Sequence, residues 1–176
     1  MHTLISGGCK NGKSYYAQRV AKAAGKPLYY LATMISTGAE DDARIARHLK
    51  EREGWGFETI ECGKGILHAL EHADANGSFL LDSVTALLAN EMFDLAGFDP
   101  DAAERVAEEL AQFVSHTKNV VFVSDYLYSD AQLFDDWTEK YRRGLALVDR
   151  RLAKCCETVL EVSSGMVICH KGVLPL

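Results

Sequence analysis

Short apolar runs alternate with amphipathic stretches along this chain, and that order predicts an α/β fold. The expected architecture is a mostly parallel sheet with helices on both faces and an antiparallel hairpin at one edge. Three observations carry it. The apolar runs recur, each followed by a segment of helical periodicity. A glycine-rich turn, residues 7–14, joins the first run to the first helix. The last two runs, 157–162 and 166–170, are separated only by Ser163-Ser164-Gly165, a joint that suits a hairpin.

The first run, His2-Thr3-Leu4-Ile5-Ser6, reads as a buried strand, and residues 15–24 read as a helix ended by Gly25. Between them stands Gly7-Gly8-Cys9-Lys10-Asn11-Gly12-Lys13-Ser14, which has the form G-x-x-x-x-G-K-S. In a strand–loop–helix setting this is the phosphate-binding loop of P-loop NTPases, so the fold expected is of that RecA-like kind. Glycines let the backbone turn tightly and bring bare N–H groups up to phosphate oxygens. The helix start adds unpaired N–H groups and a positive dipole end. Lys13 would reach the β and γ phosphates, and the Ser14 hydroxyl would help hold Mg²⁺. The bland alternative is a glycine turn with a solvated lysine.

Residues 27–32 form a second apolar strand, stopped at Thr33. A loop then leads to a charged helix from Ala39 to about Arg52, acidic at its start and basic at its end, as the helix dipole favours. Asp41, Arg44, Ile45 and His48 share one of its faces. Residues 57–61 alternate apolar and polar and read as a strand near a sheet edge; residues 66–73 read as a short helix. Ser78-Phe79-Leu80-Leu81-Asp82 is an apolar strand ending in a carboxylate, the Walker B pattern, in which the Asp holds Mg²⁺ directly or through water. Asp82 could equally cap the next helix, and both roles are compatible. Helices are expected over 84–95, 101–116 (Val106, Leu110, Phe113 and Val114 inward) and 131–154. A buried strand is expected over 119–125, followed by a loop over 126–130. Ligands of such sheets bind at the C-terminal strand ends, an edge that collects residues 7–14, Thr33, Asp82 and Ser124-Asp125. With no internal repeat or linker, residues 1–176 read as one domain.

Composition narrows the function classes. A chain of 176 residues, 48% hydrophobic and 25% charged, has the profile of a globular domain. A formal net charge of −6 argues against an electrostatic nucleic-acid binder. No apolar run is long enough to span a bilayer, and the N-terminus lacks a secretory pattern, so a cytoplasmic location is expected. Five cysteines without a C-x-x-C pair predict reduced thiols and no zinc site. Cys9, inside the glycine loop, is a small loop filler with a thiol open to alkylation. His68 and His72 stand one helical turn apart, without an evident third ligand.

Several stretches together resemble the bifunctional adenosylcobinamide kinase / adenosylcobinamide-phosphate guanylyltransferase family of cobalamin biosynthesis. They are the glycine loop; Tyr30-Leu31-Ala32-Thr33, similar to a Y-I-A-T strand; and Asp41-Asp42 with Arg44-Ile45-Ala46-Arg47-His48, similar to D-D-x-M-x-x-R-I-x-x-H. They also include Phe57-Glu58-Thr59-Ile60-Glu61, similar to W-R-T-x-E, and Leu80-Leu81-Asp82-Ser83-Val84-Thr85 with Leu88 and Asn90, similar to L-x-D-C-L-T-x-x-x-x-N. The last is Asp149-Arg150-Arg151-Leu152-Ala153, similar to an N-Q-x-L-A run. The resemblance implies two reactions with ATP or GTP as substrates: phosphorylation of the aminopropanol hydroxyl of adenosylcobinamide, then transfer of GMP from GTP to that phosphate through a guanylyl-histidine. It carries the histidine onto His48, which on residue type alone would pass for a solvated helix residue. It places Thr33, Lys50, Arg52, Glu61 and Asp82 near GTP, with Gly7, Gly8, Cys9, Lys10, Asn11, Gly12, Lys13 and Ser14 around the phosphates. It also implies a corrinoid substrate and a homo-oligomer, a trimer by expectation.

The chain departs from the family's V-S-N-E-V-G-x-G-x-V-P run, reading Val123-Ser124-Asp125-Tyr126-Leu127-Tyr128-Ser129-Asp130. A carboxylate replaces the Asn, and the glycines and proline are gone. Tyr126 and Tyr128 either line a substrate cleft or cover the sheet edge, and Trp55 either stacks on a base or packs locally. Two further readings stand beside the main one: a small-molecule kinase without guanylyl transfer, and a non-catalytic GTP sensor.

Overall fold

The computed structural model describes residues 1–94, 97–129 and 131–176. Along the chain run β1 (His2–Gly7), α1 (Lys13–Ala24), β2 (Leu28–Ala32), α2 (Ala39–Glu51), β3 (Glu58–Glu61) and a 3₁₀ helix (Ile66–Glu71). Then follow β4 (Ser78–Asp82), α3 (Val84–Met92), β5 (Phe93–Asp94), β6 (Gly97–Phe98), α4 (Ala102–His116) and β7 (Asn119–Asp125). A 3₁₀ turn (Leu127–Ser129), α5 (Asp136–Cys155), β8 (Thr158–Ser163) and β9 (Met166–Lys171) complete it. Seven strands form one sheet in the order β3-β2-β4-β7-β1-β8-β9. Six run parallel, and β9 pairs antiparallel with β8 as the hairpin at the edge.

Period-two alternation along fully buried strands divides the core between two faces. Leu4, Leu31, Phe79, Leu81, Val120 and Phe122 point to the side covered by α3, α4 and α5. Ile5, Tyr30, Leu80, Val121 and Val123 point to the other, where Ala17, Val20 and Ala21 of α1 pack. Leu110 and Phe113 of α4 are wholly buried, Val106 nearly so, and Val114 half-buried, as the stripe predicted. β1 lies between β7 and β8, and β7 separates it from β4. The glycine loop and Asp82 therefore end on strands one apart, with the end of β7 between them.

Three elements differ from expectation. α3 stops at Met92, because Phe93 turns extended and pairs with Phe98, ring centroids 5.5 Å apart, to start a two-stranded ribbon; Leu95, the expected helix end, lies outside the described residues. α5 starts at Asp136 and not at 131, since the Asp135 carboxylate accepts from the backbone N–H of Trp137 and Thr138, both at 3.0 Å. Such a cap is worth about 1 kcal/mol and fixes the helix start more firmly than the apolar periodicity before it. Residues 66–71 adopt a 3₁₀ helix after Gly65, which is left-handed at φ 58°. Asp130, the end of the expected 126–130 loop, lies outside the described residues.

Candidate functional site

The site begins where β1 ends. Gly7 has φ 154°, and a β-carbon there would run into the Val162 carbonyl of β8 and the Asn11 side chain. The Asn11 amide donates to that same Val162 carbonyl, tying the loop to the neighbouring strand. Gly12, left-handed at φ 94°, turns the chain into α1, whose first residues are Lys13 and Ser14. Cys9 is exposed at the loop's surface.

Lys13 is nearly buried, at 5% exposure. Its ammonium donates to the Gly8 carbonyl at 2.6 Å and to Asp125 Oδ1 at 2.7 Å. Asp125, at the end of β7, is itself fixed because its backbone N–H donates to Thr85 Oγ1 at 2.9 Å. This cross-sheet pair joins residues 112 apart in sequence.

Asp82 closes the other side of the loop. Its carboxylate accepts from Tyr30 Oη at 3.1 Å and lies close to the Ser14 hydroxyl. Burial raises its pKa, and the negative charge of Asp125 adds to that; the Ser14 hydroxyl, the nearby His48 and the Tyr30 bond oppose it. His48 is thus close enough to Asp82 to favour its charged form. Tyr30 in turn lies under the Arg52 guanidinium, whose carbon is 3.5 Å from the ring centroid. Burial, then the Asp82 charge, raise the Tyr30 pKa above the phenol range, while Arg52 pulls it down.

α2 presents His48 from outside the sheet. Its entry is held by Ser36 Oγ donating to Asp42 at 2.6 Å and by Thr37 N–H and Oγ1 donating to Asp41 at 3.0 and 2.6 Å. Of the predicted face, Asp41, Ile45 and His48 are half-buried and Arg44 is exposed. Beyond α2, Leu49, Lys50, Arg52, Glu53, Phe57 and Thr59 line an open cleft of about 620 Å³. Glu61 ends β3 in register with Ala32, which is in register with Asp82, so three strand ends lie in a row. Thr33 is wholly buried; its hydroxyl donates to the Ser83 carbonyl (2.8 Å) and accepts from the Ser83 N–H (2.7 Å). It clamps the end of β2 to the chain after Asp82, and Asn90 Nδ2 holds its carbonyl at 2.7 Å.

The structure therefore gathers Lys13, Ser14, Asp82 and His48, with Lys50, Arg52 and Glu61 on the β3 side. Sequence reasoning missed Asp125 as a partner of Lys13, and Tyr30 and Thr85 as supports. Asp125 falls at the ligand-binding edge because it ends an apolar strand just as Asp82 does, but nothing local in the sequence pairs it with Lys13. Elsewhere, Tyr126 lines a second cleft and Tyr128 instead donates to Asp149 at 2.9 Å. Trp55 packs edge-on against Tyr15, centroids 5.7 Å apart, with Lys22 over its ring. His68 pairs with Glu71 at 3.0 Å. Among the described residues no group of three or more His, Cys, Asp or Glu is arranged to hold a metal, and no helix is long and apolar enough to cross a membrane.

A glycine loop opening a helix, a buried lysine within it and a strand-end carboxylate against its serine define a P-loop nucleotide-binding protein. The RadB recombinase has a similar fold, at a TM-score of 0.52 and 14% identity over 99% of this chain and 82% of that one. A family profile described as cobinamide kinase / cobinamide phosphate guanyltransferase matches residues 3–169, and the chain belongs to that family. It is 26% identical to the bifunctional adenosylcobalamin biosynthesis protein CobP of Pseudomonas aeruginosa, over 98% of both chains. It is 36% identical to the bifunctional adenosylcobalamin biosynthesis protein CobU of Escherichia coli, over 63% of this chain and 61% of that one.

Proposed function

We propose that this chain carries out both reactions of its family, as one nucleotide-binding transferase domain. It would phosphorylate the side-chain hydroxyl of adenosylcobinamide and then transfer GMP from GTP to the resulting phosphate. The observation that carries the reading is the meeting of Lys13, Ser14 and Asp82 with His48 at one edge of the sheet.

Lys13 keeps one ammonium hydrogen beyond the two bonded to Gly8 and Asp125, free for a phosphate oxygen. The N–H groups of the loop and of the start of α1 cradle the same phosphates. Ser14 and Asp82 offer the oxygen donors that a hard divalent cation takes, and the burial that raises Asp82 leaves its carboxylate in need of a cation. These residues fit Mg²⁺, which when bound would neutralise phosphate charge. Lys50 and Arg52 line the cleft expected to take the nucleoside, and Glu61 ends β3, the strand that carries Thr59 of its wall.

In the guanylyl half-reaction a neutral His48 nitrogen attacks the α phosphorus of GTP. The bond to the β-phosphate oxygen breaks, and pyrophosphate leaves. The corrinoid phosphate then attacks the same phosphorus, the P–N bond breaks, and the imidazole is restored. The protein is expected to act in the cytoplasm and as a homo-oligomer, a trimer by resemblance. The reading is tested by mass analysis of adenosylcobinamide incubated with Mg²⁺, ATP and GTP. Both adenosylcobinamide phosphate and adenosylcobinamide-GDP are expected; the phosphate alone would reduce the protein to a kinase, and neither would dismiss the reading.

A further inference from the structure

We propose that the cleft between the end of β7 and the start of α5 holds the macrocycle of the acceptor, with its hydroxyl-bearing arm directed at the phosphate loop. This rests on the functional reading above, which supplies the acceptor's chemistry: a large conjugated ring, rimmed with methyl and amide groups, that carries one hydroxyl-ended arm.

The cleft is continuous with the phosphate site. Gly8 of the glycine loop, Tyr126, Leu127, Phe134, Tyr141 and Arg142 line a volume of about 450 Å³. The Gly8 carbonyl accepts from the Lys13 ammonium at 2.6 Å, so a molecule resting on Gly8 stands beside the lysine expected at the β and γ phosphates. The Tyr126 N–H donates to the Gly7 carbonyl at 3.4 Å, which ties this wall to the start of the same loop. The other cleft, lined by Lys50, Arg52 and Thr59, opens beside β3, three places away in the sheet. Nucleotide and acceptor thus have separate walls and meet at the loop.

The walls match an amide-rimmed ring better than a second nucleotide. Among the described residues that line the cleft, Arg142 alone is charged. It is nearly buried, and its guanidinium is engaged: it donates to the Leu127 carbonyl at 3.0 Å and the Gln132 carbonyl at 3.1 Å, and pairs with Glu139. Arg142 therefore buttresses the wall and leaves little charge for a polyphosphate. Tyr141 is braced likewise, its Oη donating to the Thr85 carbonyl at 2.8 Å. Ring and aliphatic surface remain for a ligand. Leu127, Leu133, Phe134 and Trp137 are all exposed, an apolar group clustered within residues 127–137. Apolar surface gathered at a concave site marks a place where a ligand binds.

This wall is also particular to the chain. Residues 126–129 belong to the run that departs from the family's glycine-rich pattern. Tyr128, at one of the lost glycines, donates to Asp149 at 2.9 Å and anchors the turn. Tyr126 and Leu127 are therefore presented on a held segment.

The test measures binding of adenosylcobinamide to the wild type, Tyr126→Ala and Leu127→Glu, in the presence of Mg²⁺ and a non-hydrolysable ATP analogue. The bound corrinoid is read by its visible absorption after ultrafiltration. Loss of one aromatic contact should weaken binding roughly tenfold, and a charge on the apolar wall at least as much. In steady-state phosphoryl transfer the KM for adenosylcobinamide should rise ahead of any change in kcat. Labelling of His48 by GTP, which needs no acceptor, reports whether the nucleotide site of each variant is intact. Unchanged affinity in both variants would overturn the assignment. So would an equal loss of labelling and corrinoid binding, which would mean that the segment only supports the loop. A change of oligomeric state with affinity retained would also overturn it, and would make the apolar surface an interface between copies. A wild type that labels His48 but binds no adenosylcobinamide would instead sink the functional reading beneath the proposal.

Discussion

Replacing Asp149 by Asn should stabilise this protein at neutral pH. Asp149 lies on α5 at 5% exposure. Its Oδ2 accepts from Ser124 Oγ at 3.0 Å and Tyr128 Oη at 2.9 Å, while Oδ1 is buried without a partner among the described residues. Burial raises its pKa from 3.8 to about 6, with Asp125 adding to the rise against the two hydrogen bonds. A folded-state value above the unfolded one means the native state binds the proton more tightly. The stability Asp149 contributes is therefore fully present below pH ~4 and is lost as pH rises through about 6. A change of that size corresponds to about 3 kcal/mol at 1.36 kcal/mol per pKa unit. The Asn side chain is neutral throughout, and either hydroxyl oxygen can take one of its amide hydrogens. Urea unfolding of both proteins across pH ~4 to ~8 isolates the effect, because every other group titrates alike in both. The wild type should lose up to about 3 kcal/mol relative to the variant between pH ~4 and ~7, or roughly 6–12 °C in Tm. Parallel pH profiles would refute the argument, since a carboxylate ionised at no cost in both states cannot be buried as described.

Two more perturbations read the nucleotide site. Tyr30→Phe keeps the ring under Arg52 but removes the hydroxyl that donates to Asp82 and lowers its pKa; the acid limb of Mg²⁺–nucleotide binding should move to higher pH, with affinity near neutral pH down a few-fold, and an unmoved limb in titrations across pH would contradict it. Gly7→Ala forces a β-carbon against the Val162 carbonyl and the Asn11 amide at φ 154°; a loss of roughly 1–3 kcal/mol on unfolding is expected, with triphosphate binding abolished, and a variant that binds normally would show that the loop tolerates a shift of backbone there.

The elements that build the site were legible where chemistry is local. The glycine loop announces itself by spacing, and Asp82 by ending an apolar strand that follows it. The buried strands were legible because a strand covered on both faces is apolar throughout. The Lys13–Asp125 pair was not legible as a pair, because only the strand order β4-β7-β1 brings these residues together. Nor was the line from Asp82 through Tyr30 to Arg52: Tyr30 reads as one more apolar strand residue, and its hydroxyl acquires a role only once β2 lies beside β4. The late start of α5 and the early end of α3 follow from a cap at Asp135 and a ribbon at Phe93–Phe98, contacts that compete locally with helical periodicity and win. Thr33 was chosen as a nucleotide neighbour, and its hydroxyl is engaged with Ser83. Its place in the strand was readable, but the direction of its hydroxyl was not.

The central claim is that His48 carries GMP, and the most direct measurement is intact mass after incubation with Mg²⁺ and GTP labelled at the α phosphate, followed by denaturation. The wild type should gain one GMP, stable to base and labile to acid, and His48→Ala should gain none. A wild type that binds GTP yet forms no adduct, or a His48→Ala variant that forms the same one, would contradict the account.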